Sequence, residues 1–142
     1  MAAMRHLLIA MGLLLGTLTV SLGAAESFIV HPGLDGVRLS RAEIADVLLG
    51  RKTVFPDGTR VVVVLLDDDS QVTTEVLKDY VKKSPSQFLA YWKRQVFTGK
   101  ASMPRIVASA EEALALVRGT PGAICFIADD RVGEGVGRVT IP

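Results

Sequence analysis

Hydrophobic residues along this chain form two alternating patterns, short continuous runs and stripes with helical spacing. Continuous runs rich in β-branched residues predict strands at residues 27–31, 60–66 and 123–128. The run at 60–66 shows no polar alternation, which is typical of a strand buried on both faces of a parallel sheet. We expect a weaker strand at 105–107 and a final edge strand at 135–141.

Helical stripes lie between these runs, and most of them follow a serine. Ser40, Ser84 and Ser109 are each followed three residues later by Glu or Gln, the pattern of a capping box. A fourth stripe, with apolar residues at positions 72, 76, 77, 80 and 81, follows three aspartates. Alternation of strands and helices predicts an α/β fold class, a layered sheet with flanking helices that spans residues 26–142 as one domain.

Residues 1–25 differ in composition from the rest of the chain. Arg5 precedes an apolar run at 7–18, and small residues follow, ending at Ala25. This order is typical of a secretory signal peptide, with cleavage after Ala25 as the preferred position. The run is shorter than the ~20 residues of a spanning helix, although an uncleaved anchor stays an alternative. We therefore expect a periplasmic or secreted protein.

Charge and reactive residues limit the functions that we expect. Without residues 1–25 the chain carries fifteen basic and fifteen acidic residues, so nothing favours a nucleic-acid partner. Cys125 lies in an apolar run and His31 is far from it in sequence, which disfavours a paired nucleophile. No zinc spacing or phosphate loop is visible. We expect no enzyme activity, no catalytic residue, no metal and no cofactor.

Four segments in order resemble a known family. Residues 39–52 are similar to "L-S-x-E-E-I-x-x-I-F-x-G-K", and 55–58 to "W-x-D/N-G". Residues 92–100 are similar to "W…x-F-t-G-k", and 121–127 to "P-G-A-I-G-Y-V". The family is the type II periplasmic solute-binding proteins, especially the phosphate-binding proteins of ABC transporters. The resemblance covers most of residues 28–128 and implies a chain that corresponds to one lobe of the two-lobed family fold.

The resemblance also implies an anion site where the family has "R-x-D-G-S-G-T" after a strand. Asp68 and Ser70 match this segment, whereas Leu66 replaces its arginine and Val72 its threonine. A helix that begins there offers unpaired N–H groups and hydroxyls to an oxyanion, beyond the carboxyl end of a strand. The candidate ligand-binding residues are Asp68, Ser70, Gln71 and Thr73. Helix capping or cation binding by the aspartates are the open alternatives.

The sequence leaves two functions open. In the first, the exported domain binds phosphate or a similar small oxyanion for an ABC transport or sensing system, with a membrane transporter or sensor as its partner. In the second, it is an interaction domain without a ligand that docks a membrane sensor, a porin or a second copy of itself as a homodimer. Lys100 and Arg105 are interpreted as solvated surface charges.

Overall fold

A computed structural model describes residues 25–67 and 70–142. The predicted signal segment, except for Ala25, and Asp68 lie outside the described residues. The strands are β1 (Glu26–Val30), β2 (Val62–Leu66), β3 (Arg105–Val107), β4 (Ala123–Ala128) and β5 (Gly137–Arg138). The helices are α1 (Arg41–Leu48), α2 (Gln71–Val76), α3 (Pro85–Phe97) and α4 (Ala110–Gly119), and short 3₁₀ turns follow β1 and β4.

The five strands form one mixed sheet in the order β3-β2-β4-β1-β5. β2 pairs in parallel with both β3 and β4, and β1 pairs antiparallel with β4 and β5. The predicted α/β fold class with flanking helices is confirmed. β2 is an interior strand, so its carboxyl end at Leu66 lies where ligands commonly bind in open α/β sheets.

Helices cover both faces of the sheet, which explains the continuous apolar runs. On β1, Phe28 and Val30 face the cluster built with α1, α2 and α3, whereas Ile29 faces the cluster built with α4. On β4, Phe126 belongs to the first cluster and Cys125, 2% exposed, to the second. A strand with buried residues on both faces has no solvent side on which polar residues would alternate.

Side-chain caps fix where the helices begin. The Ser40 and Ser84 hydroxyls accept from the amides three residues later, and Glu43 and Gln87 complete both predicted capping boxes. The Ser109 hydroxyl likewise accepts from the Glu112 amide, but the Glu112 carboxylate accepts from the Ala108 N–H at 3.0 Å. At α4 the Glu112 carboxylate therefore accepts from the amide of the residue before the cap, and the predicted capping box does not close on Ser109.

Several predicted boundaries and faces need correction. The helix after β2 is α-helical only to Val76 and continues as a π-helical turn over Leu77–Val81. The final strand covers Gly137–Arg138 rather than 135–141, and an isolated bridge joins Arg38 to Thr140. Leu89 and Val96 belong to the apolar spacing of α3, yet each is 40% exposed, so the apolar stripe of this helix is only partly buried.

Two glycines permit the close contacts of this fold. Gly50 has φ +70 after α1, and a Cβ there would stand 2.7 Å from the Trp92 ring. Gly122 has φ +79 before β4, and a Cβ there would stand 1.8 Å from the Arg60 carbonyl oxygen. Both positions require the left-handed backbone region and the absence of a side chain.

Candidate functional site

A groove of about 450 Å³ lies beyond the carboxyl ends of β2 and β4. Its walls are the first residues of two helices, α2 and α4, and the turn that follows β4. We call it the strand-end groove. Its polar lining residues are Ser70, Thr73, Ser109, Glu111, Asp130 and Arg131. The sequence prediction that a site lies at the end of β2 agrees with the position of this groove.

On the α2 side, the predicted residues divide between the groove and the helix itself. Ser70 is the N-cap of α2, and its hydroxyl accepts from the Thr73 amide at 3.2 Å and lies 3.1 Å from the Thr73 hydroxyl. Thr73 is 7% exposed and lines the groove with Ser70. The Gln71 amide group instead donates to Glu75 at 2.7 Å, and Gln71 does not line the groove. The binding roles of all four predicted residues stay predictions.

On the α4 side, the groove has donors that sequence reasoning did not select. Ser109 caps α4, and the first amides of the helix, at Ala110 and Glu111, have no acceptor within the helix. The Ser109–Glu112 capping pattern was visible in the sequence, but nothing local showed that this helix begins beside α2. The parallel pairing of β2 with β3 and β4 brings the two helix starts together.

Arg131 adds a cation to the same rim. Its guanidinium lies 3.5 Å from the Glu111 carboxylate, and the two side chains are 62% and 72% exposed. An exposed ion pair of this length contributes little to the stability of the fold, typically ~0–1 kcal/mol, because water screens the two charges. The guanidinium can therefore exchange Glu111 for another anion at small cost. No sequence pattern pointed to Arg131 beyond its place after a pair of aspartates.

Carboxylates limit how negative a ligand the groove can hold. Glu111 and Asp130 line it together with the single cation of Arg131. The neighbouring Asp129 is bound elsewhere, to the Ser27 hydroxyl and to Arg138 at 2.7 Å. These hydrogen bonds from Ser27 and Arg138 hold the pKa of Asp129 below its ordinary value. Asp129 thus fixes the turn that carries Arg131.

The single histidine and cysteine of residues 26–142 both have structural surroundings. The His31 Nδ1 accepts from the Gly33 amide at 3.1 Å and caps a 3₁₀ turn. Cys125 is buried in the sheet, as predicted. In the described part of the chain, no group of three or more His, Cys, Asp or Glu side chains is arranged to hold a metal ion. Across residues 25–67 and 70–142, no helix has the length and apolarity needed to cross a membrane.

The fold occurs in solved structures of phosphate transport proteins. One is a Clostridium perfringens protein with bound phosphate, assigned as a phosphate ABC transporter substrate-binding protein, at 19% identity and TM-score 0.64. An ABC-type phosphate transport receptor from Vibrio cholerae matches at 15% identity with a TM-score of 0.56. PstS from Borrelia burgdorferi matches at 14% identity with a TM-score of 0.54. Each match covers 82% of this chain and 44%, 45% and 47% of the other, respectively.

These matches define the class of fold. The mixed sheet with flanking helices is that of one lobe of a periplasmic-binding protein, and the chain spans less than half of the length of the proteins that it matches. The predicted resemblance to a single lobe is confirmed at the level of the fold. No protein-family description and no curated protein sequence matches this chain.

Proposed function

We propose that this domain binds phosphate or a similar small oxyanion in the strand-end groove. The observation that carries the proposal is that two helix starts, at Ser70 and Ser109, border one groove that also contains Arg131. Helix starts carry partial positive charge and free N–H groups, and a guanidinium binds oxyanions with paired hydrogen bonds. The shared fold with phosphate transport proteins supports this choice of ligand.

The proposed donors come from the start of α4 and from the turn after β4. The Ala110 and Glu111 amides and the Ser109 hydroxyl would donate to the anion, and Arg131 would leave Glu111 to pair with it. The Ser70 hydroxyl already donates to the Thr73 hydroxyl at 3.1 Å, so the start of α2 borders the groove without adding this donor. Of the residues predicted from sequence, Ser70 and Thr73 line this groove and Gln71 does not. The binding role of Asp68, which lies outside the described residues, stays a prediction. Two carboxylates in the lining favour a protonated phosphate, which can donate one hydrogen bond, over a fully ionised one.

Calorimetry with inorganic phosphate tests this function directly. We expect binding that weakens about tenfold in Arg131→Gln, because one charge-assisted hydrogen-bond partner is lost. Arg51→Gln is the matched control, since Arg51 is also an exposed arginine in one long ion pair, at 3.9 Å from Asp46, and does not line the groove. No heat of binding at millimolar phosphate, or equal loss in both variants, would remove the proposal.

The N-terminal sequence supports a proposal for the cellular role. We propose that the chain is exported, cleaved near Ala25 and active as a non-enzymatic binding component of a membrane transport or sensing system. Cleavage after Ala25 would leave β1 complete and remove one backbone bond, from the Asp129 amide to the Ala25 carbonyl at 2.7 Å. Intact-mass measurement of the secreted protein would give a chain that starts at Glu26; a retained N-terminus would contradict export by cleavage.

A second candidate function is the interaction domain. An apolar groove of about 230 Å³ lies beside β3, and Leu89, Met103 and Ile106 on its rim are 40%, 37% and 49% exposed. β3 is an edge strand with one side unpaired within the sheet, which can pair with another chain. Light scattering after size exclusion would reveal a homodimer that Ile106→Lys dissociates; a monomer at high concentration would exclude self-association by this edge.

A further inference from the structure

A second cavity of about 430 Å³ lies at the opposite end of the sheet, where β2 and β3 begin. This volume falls in the range of roughly 300–1,000 Å³ that is usual for small-ligand sites. Its apolar floor includes Val47, Val63 and Trp92, and its rim comes from the loops at 50–53 and 100–104. The strand-end groove shares none of these residues.

The polar rim of this cavity is positively charged. We call it the basic pocket, after its four cationic lining residues Lys52, Arg60, Lys100 and Arg105. None of the described residues that line it is Asp or Glu. Within the described part of the chain, Arg60, Lys100 and Arg105 form no salt bridge, whereas the Lys52 Nζ lies 3.7 Å from the Glu43 carboxylate. Three of the four charges are thus uncompensated in a concave site.

The charge distribution along the sequence makes this excess unusual for a nearly neutral chain. Residues 80–110 contain six basic and no acidic side chains, although the whole protein has a formal charge of only +1. Two of these six, Lys100 and Arg105, line the pocket, and Lys52 and Arg60 join them from another part of the chain. A cleft lined by one sign of charge concentrates the field and attracts counter-ions more strongly than the same charges spread over a convex surface. The basic pocket therefore differs from scattered surface lysines.

The wall of the pocket is held in place by buried contacts. The Trp92 indole N–H donates to the Leu48 carbonyl at 3.1 Å, and the Tyr91 hydroxyl donates to the Leu49 carbonyl at 2.6 Å. Gly50 lets the Trp92 ring approach the chain after α1. A pocket whose frame is fixed before binding loses less conformational entropy when a ligand enters.

The loop that supplies two of the cations is fixed as well. The Val61 amide donates to the Thr53 carbonyl at 2.9 Å, and the Phe55 amide donates to the Thr59 carbonyl at 2.8 Å. These bonds fold residues 53–61 into a hairpin, so that Lys52 and Arg60 lie on the same side of the pocket. Lys100 and Arg105 come from the segment between α3 and β3 on the other side.

We propose that the basic pocket binds a small polyvalent anion that carries three or more negative charges. Two guanidinium groups offer paired donors to phosphate or carboxylate oxygens, and two ammonium groups add point charges. A polyvalent anion compensates all of the unpaired charge at once, whereas a single phosphate leaves part of it unbalanced. This site is independent of phosphate binding in the strand-end groove.

The test uses inorganic tripolyphosphate as the probe at low ionic strength. Trp92 is the single tryptophan of the chain. It lines the basic pocket and the apolar groove beside β3 but not the strand-end groove, so its fluorescence distinguishes the basic pocket from the proposed phosphate site. We expect saturable binding by fluorescence and calorimetry, with orthophosphate at least tenfold weaker by the fluorescence signal. Raising the salt concentration should weaken binding by screening.

A pair of double variants separates a built site from general electrostatics. Lys100→Gln with Arg105→Gln should weaken tripolyphosphate binding at least tenfold. Lys82→Gln with Arg94→Gln removes the same charge from two exposed residues outside the pocket, one before α3 and one on it, and should change affinity less than twofold. Equal weakening by both pairs, no effect of the first pair, or no fluorescence change at millimolar tripolyphosphate would each overturn the proposal. Thermal melts should show all variants folded, since the four residues are exposed.

Discussion

Replacing Gly122 by alanine should damage the contact between the two central strands. Gly122 has φ +79, and an added Cβ would lie 1.8 Å from the Arg60 carbonyl oxygen, a backbone atom that cannot rotate away. The Gly122 carbonyl also accepts from the Val62 amide at 2.9 Å, which starts the pairing of β2 with β4. The chain before β2 must therefore move away from β4.

The expected loss of stability has two parts, the cost of the backbone conformation and the cost of separating the strands. The left-handed backbone costs an alanine about 1–2 kcal/mol. Separating the strands loses at least one hydrogen bond, about 1 kcal/mol, and opens space beside the buried Ala123 and Ile124, about 1–2 kcal/mol more. The sum is about 3–5 kcal/mol, a large part of the roughly 5–15 kcal/mol that stabilises a typical domain.

Gly36→Ala is a matched control for the backbone part alone. Gly36 has φ +75, and nothing lies within 4 Å of an added Cβ. Urea unfolding should show a loss of about 1–2 kcal/mol for Gly36→Ala and about 3–5 kcal/mol for Gly122→Ala, or roughly 4 °C of melting temperature per kcal/mol. Losses that agree within about 0.5 kcal/mol would refute the close approach of Arg60 to Gly122.

Three further predictions concern single side chains. Trp92→Phe should cost about 1–3 kcal/mol in urea unfolding, because the carbonyl of Leu48 loses its buried donor and the cavity around the smaller ring is not refilled; unchanged stability would contradict this. Asp129→Asn should have a lower free energy of unfolding than the parent above pH 5. This difference should disappear as pH falls through the lowered pKa of Asp129, since protonation ends its pairing with Arg138. A difference that persists at pH 2 would argue against it. Ser40→Ala removes the cap of α1 and should cost about 1 kcal/mol, measured by thermal melting, whereas a glycine at this position should cost only a few tenths.

Much of the fold could be predicted because its local signals agree with its tertiary packing. The run at 123–128 is a strand with those bounds, and two of the three capping boxes form as predicted. The π-helical turn over Leu77–Val81 could not be predicted, because its apolar spacing fits an ordinary helix equally well. The exposure of Leu89 on α3 could not be predicted either, since the spacing of apolar residues does not show which of them the neighbouring elements cover.

Part of the lining of the strand-end groove could be expected from the sequence, whereas the binding roles stay predictions. The position at the end of β2 and the residues Ser70 and Thr73 followed from the strand-to-helix order and the resemblance. Ser109 and Arg131 are distant in sequence and join them only because β3 and β4 lie on either side of β2 in the sheet. No short-range pattern carries that information.

The amino-acid sequence by itself determined the alternation of strands and helices and the starts of most helices. These features depend on apolar spacing, caps and turns that act within a few residues, whereas the single-lobe class was implied by the resemblance to a known family. The tertiary structure decided which helix starts share a groove and which cations share a pocket. Strand order and the crossing of distant segments set those distances, and charges such as Lys52 and Arg105 acquire a joint role only when the sheet brings them to one cavity.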